Sequence, residues 1–115
     1  MTQPTIDRAT FDELKETAGA EFVVELVDTF LAEAPAMLDD LTRALASGDA
    51  DAFRRAAHSL KSNSNTFGAL TLGAMARELE LTGLAPALAA DGATLDALAQ
   101  EYARVAAALT DLKHA

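Results

Sequence analysis

No cysteine occurs in the 115 residues, which excludes disulfides, thiolate nucleophiles and cysteine-ligated metals. Tryptophan is also absent, there is one tyrosine, and proline and glycine number only three and six. Bases are scarce: nine Lys and Arg against 18 Asp and Glu give a formal net charge of -9. So acidic a chain lacks the basic face of a nucleic-acid binder and the polybasic cluster of a membrane-surface protein. No apolar run reaches the roughly 18 residues of a membrane span. Met1–Asp7 lacks the cationic-then-apolar order of a secretory signal. A cysteine-free chain tolerates either redox compartment, and the cytoplasm is the expected one.

What is present is helix-forming. Half of the residues are apolar, enough for one domain over residues 1–115 with a buried core. Alanine, the best helix former, makes up almost a quarter. No segment alternates apolar and polar residues for long, so strands are not expected. Glycines at 19, 48, 68, 83 and 92 divide the chain into about five helical pieces. A short first helix is capped by Thr10, with Glu13 completing a capping box. The second runs from about Glu21 to Ser47, with an apolar stripe through Val23, Leu26, Val27, Phe30, Ala34, Leu38, Leu41 and Leu45. Pro35 should kink it. The third starts at the capping residue Asp49 and runs to about Phe67; the fourth covers about Leu70 to Gly83. A loop containing Pro86 follows. The last helix begins near Thr94, and its Leu95, Leu98, Tyr102, Val105, Leu109 and Leu112 repeat in steps of three and four. Short connections between long amphipathic helices make neighbours antiparallel. The expected fold class is all-α: an antiparallel up-and-down four-helix bundle with a short extra N-terminal helix.

On the third helix, Phe53, Ala57, Leu60, Ser64 and Phe67 fall within about 40° of one line at 100° per residue. His58 lies about 140° away, facing water. Arg54, Arg55 and Lys61 put three of the nine bases within four residues of it, with Ser62 and Asn65 alongside. In an acidic protein such a concentration makes a docking spot for an anion or acidic partner. A free imidazole titrates near pH 6.5, so much of it is neutral and nucleophilic at physiological pH, and its Nε2 projects farther from the backbone. The wheel alone leaves open a merely solvated histidine. The tract Ser62–Thr66 is a poor helix former that leaves open fraying or a turn. Phe11 and Leu14 either cap the bundle core or offer an apolar docking patch. His114 carries no assigned role.

The run from Ala57 to Ala69, AHSLKSNSNTFGA, resembles the signature of histidine-containing phosphotransfer (HPt) domains, A-H-x-L-K-G-x-x-x-x-φ-G-A with φ apolar. His58, Leu60, Lys61, Phe67, Gly68 and Ala69 match it. Phe30–Pro35 (FLAEAP) and Ala76–Glu80 (ARELE) look like the family's second and fourth helices. The family often has glycine where this chain has Ser62, a residue that is also small and costs the helix less.

The resemblance implies the HPt four-helix bundle. His58 would be the phosphoacceptor, moving a phosphoryl group between aspartates of receiver domains in a hybrid histidine kinase or a response regulator. Lys61 would assist electrostatically. Arg54, Arg55, Ser62, Asn65, Phe11 and Leu14 are the candidate partner contacts. The chain has no glycine-rich phosphate loop; it is expected to be a monomeric carrier and not a kinase, without a cofactor of its own, the Mg²⁺ belonging to the receiver. The alternative is a helical adaptor that binds a receiver without phosphotransfer. A carboxylate-rich metal bundle would need Glu-x-x-His pairs, and Arg55 stands three residues before His58.

Overall fold

The computed structural model describes residues 5–89 and 92–113. Its helices are α1 (Arg8–Ala18), α2 (Ala20–Ser47), α3 (Ala50–Thr66), α4 (Leu70–Thr82), α5 (Leu84–Ala89) and α6 (Ala93–Lys113), and the described residues contain no strand. The protein is all-α, as its composition predicts.

Helix boundaries follow local chemistry, with two corrections. The cap of α1 is Asp7 and not Thr10: the Asp7 carboxylate accepts from the Thr10 backbone N–H at 3.1 Å and from its hydroxyl at 2.5 Å. Aspartate is the stronger cap, and a hydroxyl at the third helical position serves as its donor. The segment around Pro86 is the short helix α5 and not a loop. A proline in a helix's first turn removes only an N–H that would lack a partner anyway. Asp49 caps α3 as expected, accepting from Ala52 N at 3.0 Å. The Ser62–Thr66 tract stays helical, with Asn63, Ser64 and Thr66 donating to the carbonyls four residues back, of Ser59, Leu60 and Ser62, where the side chains do not pull the backbone into a turn. Helix α2 continues through Pro35.

α2, α3, α4 and α6 form a closed ring, each packed on two neighbours. α2 and α3 are joined by Gly48 and Asp49, and α3 and α4 by Phe67, Gly68 and Ala69; links so short between packed helices reverse the chain. Tyr102 reaches the carbonyl of Leu31, and Lys113, farther along α6, pairs with Asp28, earlier on α2. α6 therefore runs antiparallel to α2.

The seam expected on α3 is the one observed. Phe53, Ala57 and Leu60 are inaccessible to solvent, and Phe67 nearly so. Each such Phe or Leu contributes about 1.5–3 kcal/mol by burial. Phe30 on α2 stacks against Phe67 (centroids 5.3 Å apart) and, edge-on, against Tyr102 of α6 (6.0 Å). Leu72, Ala76 and Leu79 of α4 and Leu98, Val105 and Leu109 of α6 complete the core. Met75, Leu95, Tyr102 and Leu112 pack at its margin. One carboxylate, Glu101, is on the buried face of α6, where its Oε1 accepts from Arg104 Nε (2.9 Å) and Nη2 (2.6 Å).

At the α3–α4 corner, Gly68 has φ +84°, and its carbonyl accepts from Asp7 N at 2.8 Å. A glycine there permits either a helix end or a close approach by the next helix. The structure shows the helix end, but it is the start of α1 that approaches.

Candidate functional site

The α3 seam turns His58 outward: its side chain is 57% exposed. Its ring is nevertheless held. Nδ1 lies 2.5 Å from Glu80 Oε2, across the groove on α4. The other oxygen, Oε1, accepts from Lys61 Nζ at 2.7 Å. One carboxylate thus spans the histidine and the lysine that the sequence singled out.

The Glu80 carboxyl is held below the usual carboxylate range. The Lys61 hydrogen bond is the main cause, and partial burial opposes it. The bond from His58 and the charges of both neighbours add to the lowering. An ionised carboxylate only accepts hydrogen bonds, so Nδ1 carries the proton. Nε2, with no hydrogen-bond partner among the described residues, keeps its lone pair. The positioning is electrostatic and requires no change in the helix.

A stability consequence follows from the direction of that shift. A carboxyl depressed on folding stabilises the protein above its unfolded pKa and ceases to do so as pH falls through the lower folded value. Wild type should therefore melt above Glu80→Gln at neutral pH. The gap should close as pH drops below the ordinary carboxyl value of 4.5. Melts of both proteins from pH 7 to pH 3 measure this; a gap independent of pH would mean that Glu80 acts through packing and not through charge.

The remaining expected residues divide. Arg54, Arg55, Ser62 and Asn65 are exposed on the His58 side of α3. Asp51 offsets part of this basic rim, with its carboxylate 3.0 Å from Arg54 and its backbone oxygen accepting from Arg55 Nε. Phe11 is a correction: it is 2% exposed within the core, so its ring is not open to a partner. On a helix of about three turns laid against a bundle, the largest apolar side chain is the one driven inward. Leu14 is half-buried. The exposed aromatic near α1 is instead Phe22, 50% exposed at the start of α2. His114 is outside the described residues.

Sequence reasoning gave Glu80 no role, although a signal existed. The three-residue turn Phe67–Ala69 centres the α3–α4 hairpin on Gly68, and His58 stands ten residues before it and Glu80 twelve after. Nearly equal arms of an antiparallel pair bring them level.

The Hpt domain family matches residues 25–108. The chain belongs to that family. Among solved structures it is similar to the histidine-containing phosphotransfer protein B of Pseudomonas aeruginosa PAO1. The TM-score is 0.87 and the identity 30%, covering 98% of this chain and 97% of that one. No curated protein sequence matches it. Membership makes this Hpt protein a histidine phosphotransfer component of a phosphorelay, a class that carries phosphoryl groups and meets receiver domains. Within the described residues, no helix of this Hpt chain is long and apolar enough to cross a membrane.

Proposed function

We propose that His58 accepts a phosphoryl group from the phosphoaspartate of one receiver domain and passes it to an aspartate of another, and that Lys61 assists. The observation that carries this reading is the exposed His58 ring with Nδ1 bound to Glu80. The lone pair of Nε2 attacks phosphorus. The N–P bond forms as the P–O bond to the aspartyl carboxyl breaks, and that electron pair leaves with the carboxylate. No proton moves: Nδ1–H stays on the ring, which becomes a cation beside the Glu80 anion. The reverse sequence delivers the group to the second aspartate.

Transfer of this kind depends on alignment and on neutralising the equatorial oxygens. Lys61 contributes the second, as a point charge drawn from its Glu80 partner toward a phosphoryl group bearing nearly two negative charges. The basic rim of Arg54 and Arg55, with Ser62 beside the ring, suits an acidic visitor, whereas the Asn65 amide is turned to Gly73 of α4. Small Ser62 leaves it room. Leu14 and Phe22 supply the apolar part of the docking surface. The acceptor aspartate and its Mg²⁺ belong to the receiver. The chain acts as a cytoplasmic phosphoryl carrier, not as a kinase.

Incubation with a ³²P-labelled receiver tests this. The label should be acid-labile and base-stable, and should map to Nε2 of His58. A label on Nδ1, or on another residue, would overturn the assignment.

A further inference from the structure

We infer that Gly73 is a positioning residue for His58: the space left by its missing side chain holds the Asn65 amide and so sets the α3–α4 separation at which Glu80 reaches the ring. This rests on the phosphoacceptor reading of His58.

Gly73 is buried in the interior of α4, where glycine costs a helix about 1 kcal/mol relative to alanine. It is not among the positive-φ glycines of the chain, so conformational need does not explain it. Packing does. A Cβ there would lie 2.1 Å from Asn65 Oδ1, 2.9 Å from its Cγ and 3.4 Å from its Nδ2. The amide of Asn65 occupies the volume an alanine methyl would take.

The register connects this contact to the site. Asn65 and Gly73 stand four residues before and after Ala69, and His58 and Glu80 eleven. The two pairs share one seam of the hairpin, two turns apart. At about 1.5 Å per residue the first pair is roughly 6 Å from the corner and the second roughly 16 Å. The corner is pinned by the Asp7–Gly68 hydrogen bond, so a wedge near it opens the far pair more than the near one. A hydrogen bond of 2.5 Å is lost within about 1 Å of separation. Lys61, on a flexible stem, can follow Glu80; the His58 ring cannot.

The test compares wild type, Gly73→Ala and the double variant Asn65→Ala/Gly73→Ala. ¹⁵N spectra of the His58 imidazole report which nitrogen carries the proton, and phosphoramidate serves as a small phosphodonor that needs no docking. In Gly73→Ala the Nδ1–H signature should give way to a mixture of tautomers. Phosphoryl acceptance should fall roughly tenfold, and the double variant should recover both to within about twofold, a scale set by the cost of ångström-sized misplacement. If the amide simply swings aside, alanine raises the melting temperature of Gly73→Ala while spectrum and rate stay those of wild type, and the inference is wrong. It is equally wrong if the double variant fails to recover. Should Gly73→Ala not fold, a folded double variant with the wild-type spectrum still supports the inference. A wild type that never takes label would defeat the phosphoacceptor reading, whereas the tautomer comparison would still judge Gly73.

Discussion

His58→Gln takes no phosphoryl group from a phosphorylated receiver, while its melting temperature stays within a few degrees of wild type. Glutamine has a similar reach, and its amide can donate to Glu80 as Nδ1–H does now. The amide nitrogen, however, has no lone pair free to attack phosphorus. The site is exposed, and substitutions at such positions usually shift stability by no more than about 0.5 kcal/mol. Transfer is followed by label, fold by circular dichroism, and receiver binding by calorimetry. Binding kept and label lost is the expected combination. Label retained in the variant would remove His58 from the mechanism. A wild type that binds receivers but never takes label would instead be an adaptor.

Gly68→Ala should destabilise the protein by about 3 kcal/mol, an L residue's left-handed backbone plus a steric clash. An L residue in the left-handed region costs about 1–2 kcal/mol. The new Cβ would also lie 2.7 Å from Asp7 O and 3.3 Å from Asp7 N. These are backbone atoms and cannot rotate away. Relief requires the start of α1 to lift, losing the Asp7–Gly68 hydrogen bond of 2.8 Å and loosening Phe11 from the core. At roughly 4–8 °C per kcal/mol for a domain near this size, the melting temperature should fall by more than about 10 °C. Gly48→Ala is the control. It has φ +71° but nothing within 4 Å of a Cβ, so it should cost only the conformational part, about 1–2 kcal/mol. Equal losses in the two variants would show that α1 does not bear on the corner.

Most of the architecture was legible before any coordinates. The outward placement of His58 required only the position of Phe53, Ala57, Leu60, Ser64 and Phe67 on one line, because a helix converts spacing into direction. Asp49 announced the start of α3 for the same local reason. Phe11 was not decided by spacing: a short amphipathic helix has an apolar face whether it covers the core or greets a partner, and only the packing of α1 on α2 and α3 resolves which. Pro86 misled because proline excludes a helix interior but not a first turn.

By itself, then, the sequence determined the five longer helices, the solvent-facing histidine and the family, since each of these is read along one chain segment at a time. The tertiary structure alone decided that Glu80 carries both His58 and Lys61, that Asn65 fills the gap at Gly73, and that α1 closes on Gly68. Those are contacts between segments, and they depend on how far apart two helices settle once their cores are packed. Periodicity tells which way a side chain points, but the distance to what it meets is set by every other side chain in the seam.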